Sequence, residues 1–324
     1  MPVMHTCEPA PNLEQALRES WRRRQPLHDD PDIDVYRILH GYTEGCCGLN
    51  IEKFGPVARV VWKNKEDLES DVLCRTLVEL GGFESIVVKR TQRCNNNPIV
   101  NPVECLHGHG AAADVETEVH EYELRFRVQP FADANSGLFL DARPARQWIR
   151  QHSHGRRVLN LFAYTGSLGI AAAAGGAAAI THVDGKRNAL KRARANHELN
   201  NLPIDDRSLL RGNVYTHLPR AIRNGQRFDA VILDPPPRLP RSKARKPQGQ
   251  DYTRLARWAT DLLEDGGWLL CFFSRYDQSR ERYEEEVVAA SDGDLRPWWR
   301  GTSGDDFPEE KSRENLRLTA WIKG

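Results

Sequence analysis

Val158-Leu159-Asn160-Leu161-Phe162-Ala163-Tyr164-Thr165-Gly166-Ser167 is the stretch whose reading decides the fold. A short apolar run passes through a glycine-bearing turn into the alanine-rich segment 168–174, which reads as a helix. A strand, a tight turn and a helix in that order open an open parallel sheet, where ligands sit beyond the carboxyl ends of strands. Gly166 lets the backbone approach a ligand with no Cβ in the way.

The pattern repeats downstream. Residues 179–183, 208–211, 230–233 and 268–273 read as short apolar strands, with helical stretches at 187–199, 218–224 and 252–263 between them. Such alternation implies a parallel sheet covered on both faces. Two last strands, near 295–299 and 316–322, complete seven. The expected fold is α/β, a Rossmann-like doubly wound seven-stranded sheet over residues 131–324.

Upstream the rhythm differs. A helix is expected within 11–24, closed by Gln25-Pro26, with a linker through Pro31. Strands are expected at 35–39 and 48–62, the second turning at Phe54-Gly55-Pro56. A helix over 66–80 ends at Gly81-Gly82, and further strands follow at 86–89 and 122–128. The expected division is an N-terminal helix and linker (1–31), a small α+β domain (32–130) and the α/β domain (131–324).

The second strand of the α/β domain ends at Asp184, 18 residues after Gly166. A carboxylate there suits the two ribose hydroxyls of an adenosyl group. The third strand leads to Asn213, whose side-chain carbonyl suits an adenine amine. The fourth closes on Asp234-Pro235-Pro236, where the fixed proline backbone holds a carboxylate beside a reacting centre. A nicotinamide enzyme would place G-x-G-x-x-G after the first strand, but Tyr164 stands where the first glycine belongs. No G-x-x-x-x-G-K-[ST] phosphate loop is present.

Composition sets limits. The 324 residues carry 46 Lys and Arg against 45 Asp and Glu, a formal charge of +1. Nucleic-acid contact therefore rests on local patches rather than a whole-protein field. Arg238, Arg241, Lys243, Arg245 and Lys246 crowd the loop after Asp234-Pro235-Pro236 and are candidate phosphate contacts. Arg143, Arg146, Arg150, Arg156 and Arg157 suggest a second basic face, and Arg22 to Arg24 a possible extension. Seven scattered cysteines read as reduced thiols, and no apolar run suits a bilayer, so a cytoplasmic protein is expected. Cys94, Cys105, His107 and His109 fit no common zinc spacing, and no metal is expected.

Gly137-Leu138-Phe139-Leu140-Asp141-Ala142-Arg143, Leu159-Asn160-Leu161-Phe162-Ala163-Tyr164-Thr165-Gly166, Asp234-Pro235-Pro236 and Asp306-Phe307-Pro308 resemble the bacterial large-subunit rRNA methyltransferases that make 5-methylcytosine or 7-methylguanine. The resemblance runs from about Val35 to the end and implies a class I methyltransferase using S-adenosyl-L-methionine. It implies cofactor or active-site roles for Phe139, Asp141 and Arg143. Asn160, Phe162, Ala163, Tyr164, Thr165, Gly166, Asp184, Asn213 and Asp234 complete the expected cofactor set, with Asp234, Pro235 and Pro236 at the methyl-transfer centre.

The sequence departs from the family in three respects. With about 30 residues ahead of the central domain, the family's RNA-binding PUA module is expected to be absent. Asn213 stands where an acid is usual. Ser274 occupies the place of the cysteine that cytosine-carbon methylation requires, with Cys271 still inside its strand. A thiol yields usable thiolate near neutral pH and an unassisted serine does not. The expected acceptor is thus a ring nitrogen or amine of an rRNA base. The alternatives are a small-molecule or protein acceptor, or a catalytically weak RNA-binding or assembly protein retaining the fold; oligomeric state is left open.

Overall fold

The structure is a computed structural model and describes residues 12–64, 66–90, 93–94, 97–98, 103–132, 135–236, 248–274, 278–309 and 316–324. The chain divides into two compact units, Met1–Leu140 with Gly304–Glu310, and Asp141–Ser303 with Lys311–Gly324.

In the first unit, α1 (Leu13–Arg23) is capped by Asn12, whose side chain accepts the Gln15 amide. A single turn, α2 (Gln25–His28), follows. Strands β1 (Val35–His40), β2 (Leu49–Phe54) and β3 (Val57–Trp62) form an antiparallel meander. Its second turn uses Gly55 at φ +56°. Helix α3 (Ser70–Gly81) crosses to β4 (Ser85–Arg90), which lies parallel to β3. The helix begins at Ser70, not at 66, because the Glu66 carbonyl turns back to accept Trp62 Nε1–H and Leu68 drops into the core. Beyond a two-residue ladder of β5 (Arg93–Cys94) and β6 (Asn97–Pro98), β7 (Glu104–Gly108) completes a sheet of order β1-β2-β3-β4-β7. The hairpin β8 (Thr117–Glu121) and β9 (Leu124–Val128) stands apart. Leu17, Leu73 and Leu77 pack on Ile38, Ile51, Val60 and Ile86 to make this unit's core.

The Asp306-Phe307-Pro308 segment belongs to this unit. Asp306 accepts the Arg37 amide through its carboxylate and Arg24 Nη2 through its carbonyl, each at 2.9 Å. Arg24 is also paired with Glu44 in full burial, and the Arg37 guanidinium lies 4.5 Å over the Phe307 ring. The expectation of uniformly reduced cysteines does not hold. Cys46, Cys74, Cys105 and Cys271 are free, but Cys47 is disulfide-bonded. Composition counts thiols, whereas spatial proximity decides pairing.

The second unit opens with α4 (Arg143–His152) and then alternates: β10 (Arg157–Leu161), α5 (Ser167–Ala174), β11 (Ala179–Asp184), α6 (Arg187–Leu199), β12 (Leu209–Arg211), α7 (Val214–Arg223), β13 (Phe228–Leu233), α8 (Gln248–Asp261) and β14 (Leu263–Phe273). A helix absent from the sequence reading, α9 (Arg280–Ala290), precedes β15 (Leu295–Gly301) and β16 (Arg317–Lys323). Only Tyr283 and Val287 of α9 are buried, which leaves its apolar stripe one turn long and hard to see in sequence.

The sheet runs β12-β11-β10-β13-β14-β16-β15. Its first five strands are parallel, and β16 lies antiparallel between β14 and β15. Strand order reverses between β10 and β13, so the ligand crevice belongs at their carboxyl ends. Val231, Leu233, Leu269 and Cys271 face α7, α8 and α9 in one continuous core, while α5 and α6 cover the opposite face. The doubly wound seven-stranded architecture is as expected. No helix among the described residues is long and apolar enough to cross a membrane.

Candidate cofactor and methyl-transfer site

The turn after β10 is held in an unusual backbone state. Phe162 (φ +57°), Tyr164 (φ +50°) and Gly166 (φ +83°) all occupy the left-handed region, where a side chain costs about 1–2 kcal/mol per residue. Neighbouring groups fix the turn. Ala163 N–H donates to the Val183 carbonyl at 3.1 Å, Gly166 N–H to the Ala163 carbonyl at 2.8 Å, and Tyr164 N–H to Asp184 Oδ2 at 2.9 Å. Asp184 Oδ1 accepts the Lys186 amide at 2.7 Å. One carboxylate thus ties the end of β11 to the turn after β10, and each of its oxygens keeps a lone pair for a further donor.

Beneath the turn lies a buried polar file that the sequence reading missed. Asn160 Nδ2 donates to His182 Nδ1 at 3.1 Å, and His182 Nε2 meets His197 Nε2 at 3.0 Å. Both imidazoles are fully enclosed. Burial, with His197 alongside, pushes His182 down to about 3, and burial pushes His197 down to about 4, so both rings stay neutral. Glycine is required above them: a Cβ on Gly169 would lie 2.3 Å from His182 Cε1, and one on Gly166 would lie 2.8 Å from Ala193 Cβ. Asn160, read from sequence as part of the cofactor turn, is instead fully buried below it, and its Oδ1 has no partner among the described residues. The available clue was a histidine in the middle of an otherwise buried strand.

At the neighbouring strand end, Asp184 is in register with Arg211, and Gly212 N–H donates to the Asp184 carbonyl at 3.0 Å. Asn213 caps α7: its side-chain oxygen accepts the Tyr215 amide at 2.9 Å. A Cβ on Gly212 would meet nothing within 4 Å, and one on Gly185 only the Gly212 carbonyl at 3.9 Å. Open space free of Cβ atoms beside the half-buried Asp184 carboxylate has room for a ligand there.

Asp234 follows the last residue of β13, and Leu233 is in register with Leu161, so its carboxyl stands next to the β10 turn. Burial, reinforced by the negative charge of Asp141, pushes this carboxyl up to about 7. Pro235 is buried and Pro236 exposed. Cys271 is fully enclosed between Tyr252, Tyr283 and Trp321, and burial raises its thiol to about 11. Ser274 sits half-buried just past β14.

Other sequence candidates separate. Phe139 is exposed and Thr165 buried in the turn. Arg143 and Arg146 are buried, Arg156 donates to the Asp229 carbonyl, and Arg157 is paired with Asp229 and Glu264. Two arginines of the anticipated second basic face are therefore buried, and Arg157 is neutralised by carboxylates at the surface. Arg238, Arg241, Lys243, Arg245 and Lys246 lie outside the described residues. Cys105, His107 and His109 are exposed, and no group of metal-ligating side chains occurs among the described residues.

An acid at the tip of β11 is thus locked to a strained turn after β10, and a second acid stands at the tip of β13. A model of the S-adenosylmethionine-dependent methyltransferase family covers residues 59–291. The chain belongs to that family. The methyltransferase is 34% identical over 233 residues to a Methanocaldococcus jannaschii protein assigned as a ribosomal RNA large subunit methyltransferase, covering 71% of this chain and 59% of that one. It is 29% identical over 320 residues to a ribosomal RNA large subunit methyltransferase of Deinococcus radiodurans, covering 95% of this chain and 78% of the relative. Its fold superposes on a Streptococcus mutans protein described as a SAM-dependent methyltransferase with a TM-score of 0.82 at 21% identity, covering 95% and 80% of the two chains.

Proposed function

We propose that this methyltransferase transfers a methyl group from S-adenosyl-L-methionine to a nitrogen, ring or exocyclic, of a base in large-subunit ribosomal RNA. The observation that carries the reading is Asp234: a carboxyl at the switch point whose proton affinity lies near neutrality. The names of the M. jannaschii and D. radiodurans relatives support the substrate class.

The division of labour follows from the chain's own groups. Asp184 accepts the ribose hydroxyls, the 162–166 turn holds the amino-acid end, and Asn213 reads the adenine edge through its remaining lone pair. The bound cofactor supplies a methyl carbon activated by a sulfonium. Methyl transfer is an in-line displacement, so orientation and exclusion of water dominate. Asp234, kept in place by Pro235, orients the acceptor nitrogen and in its ionised form takes the proton an amine must lose. Cytosine-carbon chemistry needs a thiolate beside the base. In the second unit the free thiol among the described residues, Cys271, is enclosed in the core. Arg238, Arg241, Lys243, Arg245 and Lys246 are proposed phosphate contacts from the loop after Pro236.

Labelled S-adenosyl-L-methionine offered with rRNA, free nucleosides or a protein extract tests this reading. Incorporation into rRNA alone supports it, and incorporation into either other fraction removes the substrate assignment.

A further inference from the structure

We propose that Lys186, Arg187, Lys191 and Arg211 form a phosphate-binding rim for the RNA at the adenosyl end of the cleft, an inference that rests on the RNA reading above.

The four cations converge because of topology. Asp184 ends β11 and Arg211 ends β12, in register with each other. Gly185 alone separates Asp184 from Lys186, α6 starts at Arg187, and Lys191 lies one turn on, on the same helix face. All four side chains are exposed. The rim thus borders the carboxyl ends of the parallel strands, where the cofactor acid stands.

What sets them apart is that they are unpaired and stand together at the strand ends. Charges in this chain are almost balanced, 46 cations to 45 anions, and several arginines elsewhere are neutralised in place. Arg18 is paired with Glu14 and Glu79, Arg157 with Asp229 and Glu264, Arg257 with Asp261 and Asp292, and Arg300 with Glu284. Among the described residues, Lys186, Arg187, Lys191 and Arg211 have no ion-pair or hydrogen-bond partner for their charged ends. The acids nearby are already engaged: both Asp184 oxygens accept backbone amides, Asp205 holds Arg207, and Asp206 pairs with Arg194. Glu198 lies a further two turns along α6.

The cofactor does not account for these charges. A dinucleotide brings phosphates to the strand tips, but S-adenosylmethionine has none, so four cations beside its adenosine have no ligand phosphate to meet there. A polyanionic substrate supplies one. RNA contacts of this kind are electrostatic, act through phosphates rather than bases, and release counterions on binding.

The double variant Arg187→Glu/Lys191→Glu tests the rim, measured as the affinity of an rRNA fragment across a salt series beside S-adenosylmethionine affinity by calorimetry. Loss of two phosphate contacts should weaken low-salt RNA binding about tenfold or more and flatten the log–log salt slope by about 1.4–1.8. Cofactor affinity and melting temperature should stay at the wild-type values. The neutral pair Arg187→Gln/Lys191→Gln should fall between. Wild-type RNA affinity and slope in the charge-reversed protein would overturn the rim while leaving the RNA reading intact. A fall in cofactor affinity equal to the fall in RNA affinity would overturn it too. Failure of the wild-type protein to bind rRNA at all would remove both.

Discussion

A methyl group placed on Gly169 would lie 2.3 Å from Cε1 of His182. The cofactor turn and the helix behind it therefore rest directly on a neutral imidazole, itself pinned between Asn160 and His197. Gly169→Ala should cost about 1–3 kcal/mol through overpacking and weaken S-adenosylmethionine binding. Adding His182→Ala should restore part of both, because the double variant has room for the methyl. Melting temperatures and calorimetric titrations of the three proteins check this; strictly additive losses would show that the two residues do not share a contact.

The same file gives the fold an acid limit. His182 and His197 are held near 3 and 4 against an ordinary value of 6.5. Below pH 6.5 the unfolded chain takes up protons that the folded pair refuses, so their share of stability is intact above 6.5 and is lost as pH falls towards 4 and 3. Melting temperature measured from pH 7 down to pH 4 should drop less steeply in His182→Gln than in wild type.

Asp184 is expected to hold both the turn after β10 and the cofactor. Replacing it with alanine removes a charged acceptor of two backbone amides and, in the proposed site, of the ribose diol, interactions worth about 1.5–3 kcal/mol each for hydrogen bonds to charged groups. Affinity for S-adenosylmethionine should fall by at least about tenfold, the equivalent of about 1.4 kcal/mol. Calorimetry reads this directly, and an unchanged affinity would place the adenosine elsewhere.

The raised proton affinity of Asp234 has a kinetic consequence. Its carboxyl is pushed up to about 7, so the ionised form that accepts a proton becomes abundant only as pH rises through neutrality. Methyl transfer to an amine should climb between about pH 6 and pH 8. Asp141→Asn removes the neighbouring negative charge and should move that rise to lower pH. A rate independent of pH in both proteins would deny Asp234 any proton-accepting role. In apo protein the sign for stability is the reverse: the folded state holds this proton more tightly, so that contribution is present at low pH and lost as pH rises through about 7.

Cys271 offers a contrast. It is enclosed with Tyr252, Tyr283 and Trp321 and its thiol is pushed up to about 11. Cys271→Ala and Ser274→Ala should each keep methyl transfer within a few-fold of wild type. Loss of activity in either variant, with cofactor binding intact, would restore the cytosine-carbon mechanism.

The sequence made the strand rhythm of the second unit readable because its parallel strands are buried on both faces and appear as short continuous apolar runs. Residues 187–199 were expected as a helix, and α6 spans those positions. The strand ends and turns that carry the proposed site were readable where local sequence leaves a signature, at Gly166, Asp184 and Asp234-Pro235-Pro236. What escaped was long-range. The partner of Asn160, His182, lies 22 residues away, and the partner of His182, His197, a further 15. Burial of Arg143 and Arg146, and surface pairing of Arg157 with Asp229 and Glu264, removed most of the free charge from an apparent basic face. Charge runs in sequence carry no information about which cations already have partners.

Mass spectrometry of rRNA nucleosides from a strain lacking this gene tests the central claim most directly. One nitrogen-methylated base of the large subunit should be missing, returning with the wild-type gene and not with Asp234→Ala. An unchanged nucleoside profile, or a missing 5-methylcytosine that Asp234→Ala restores, would contradict the account.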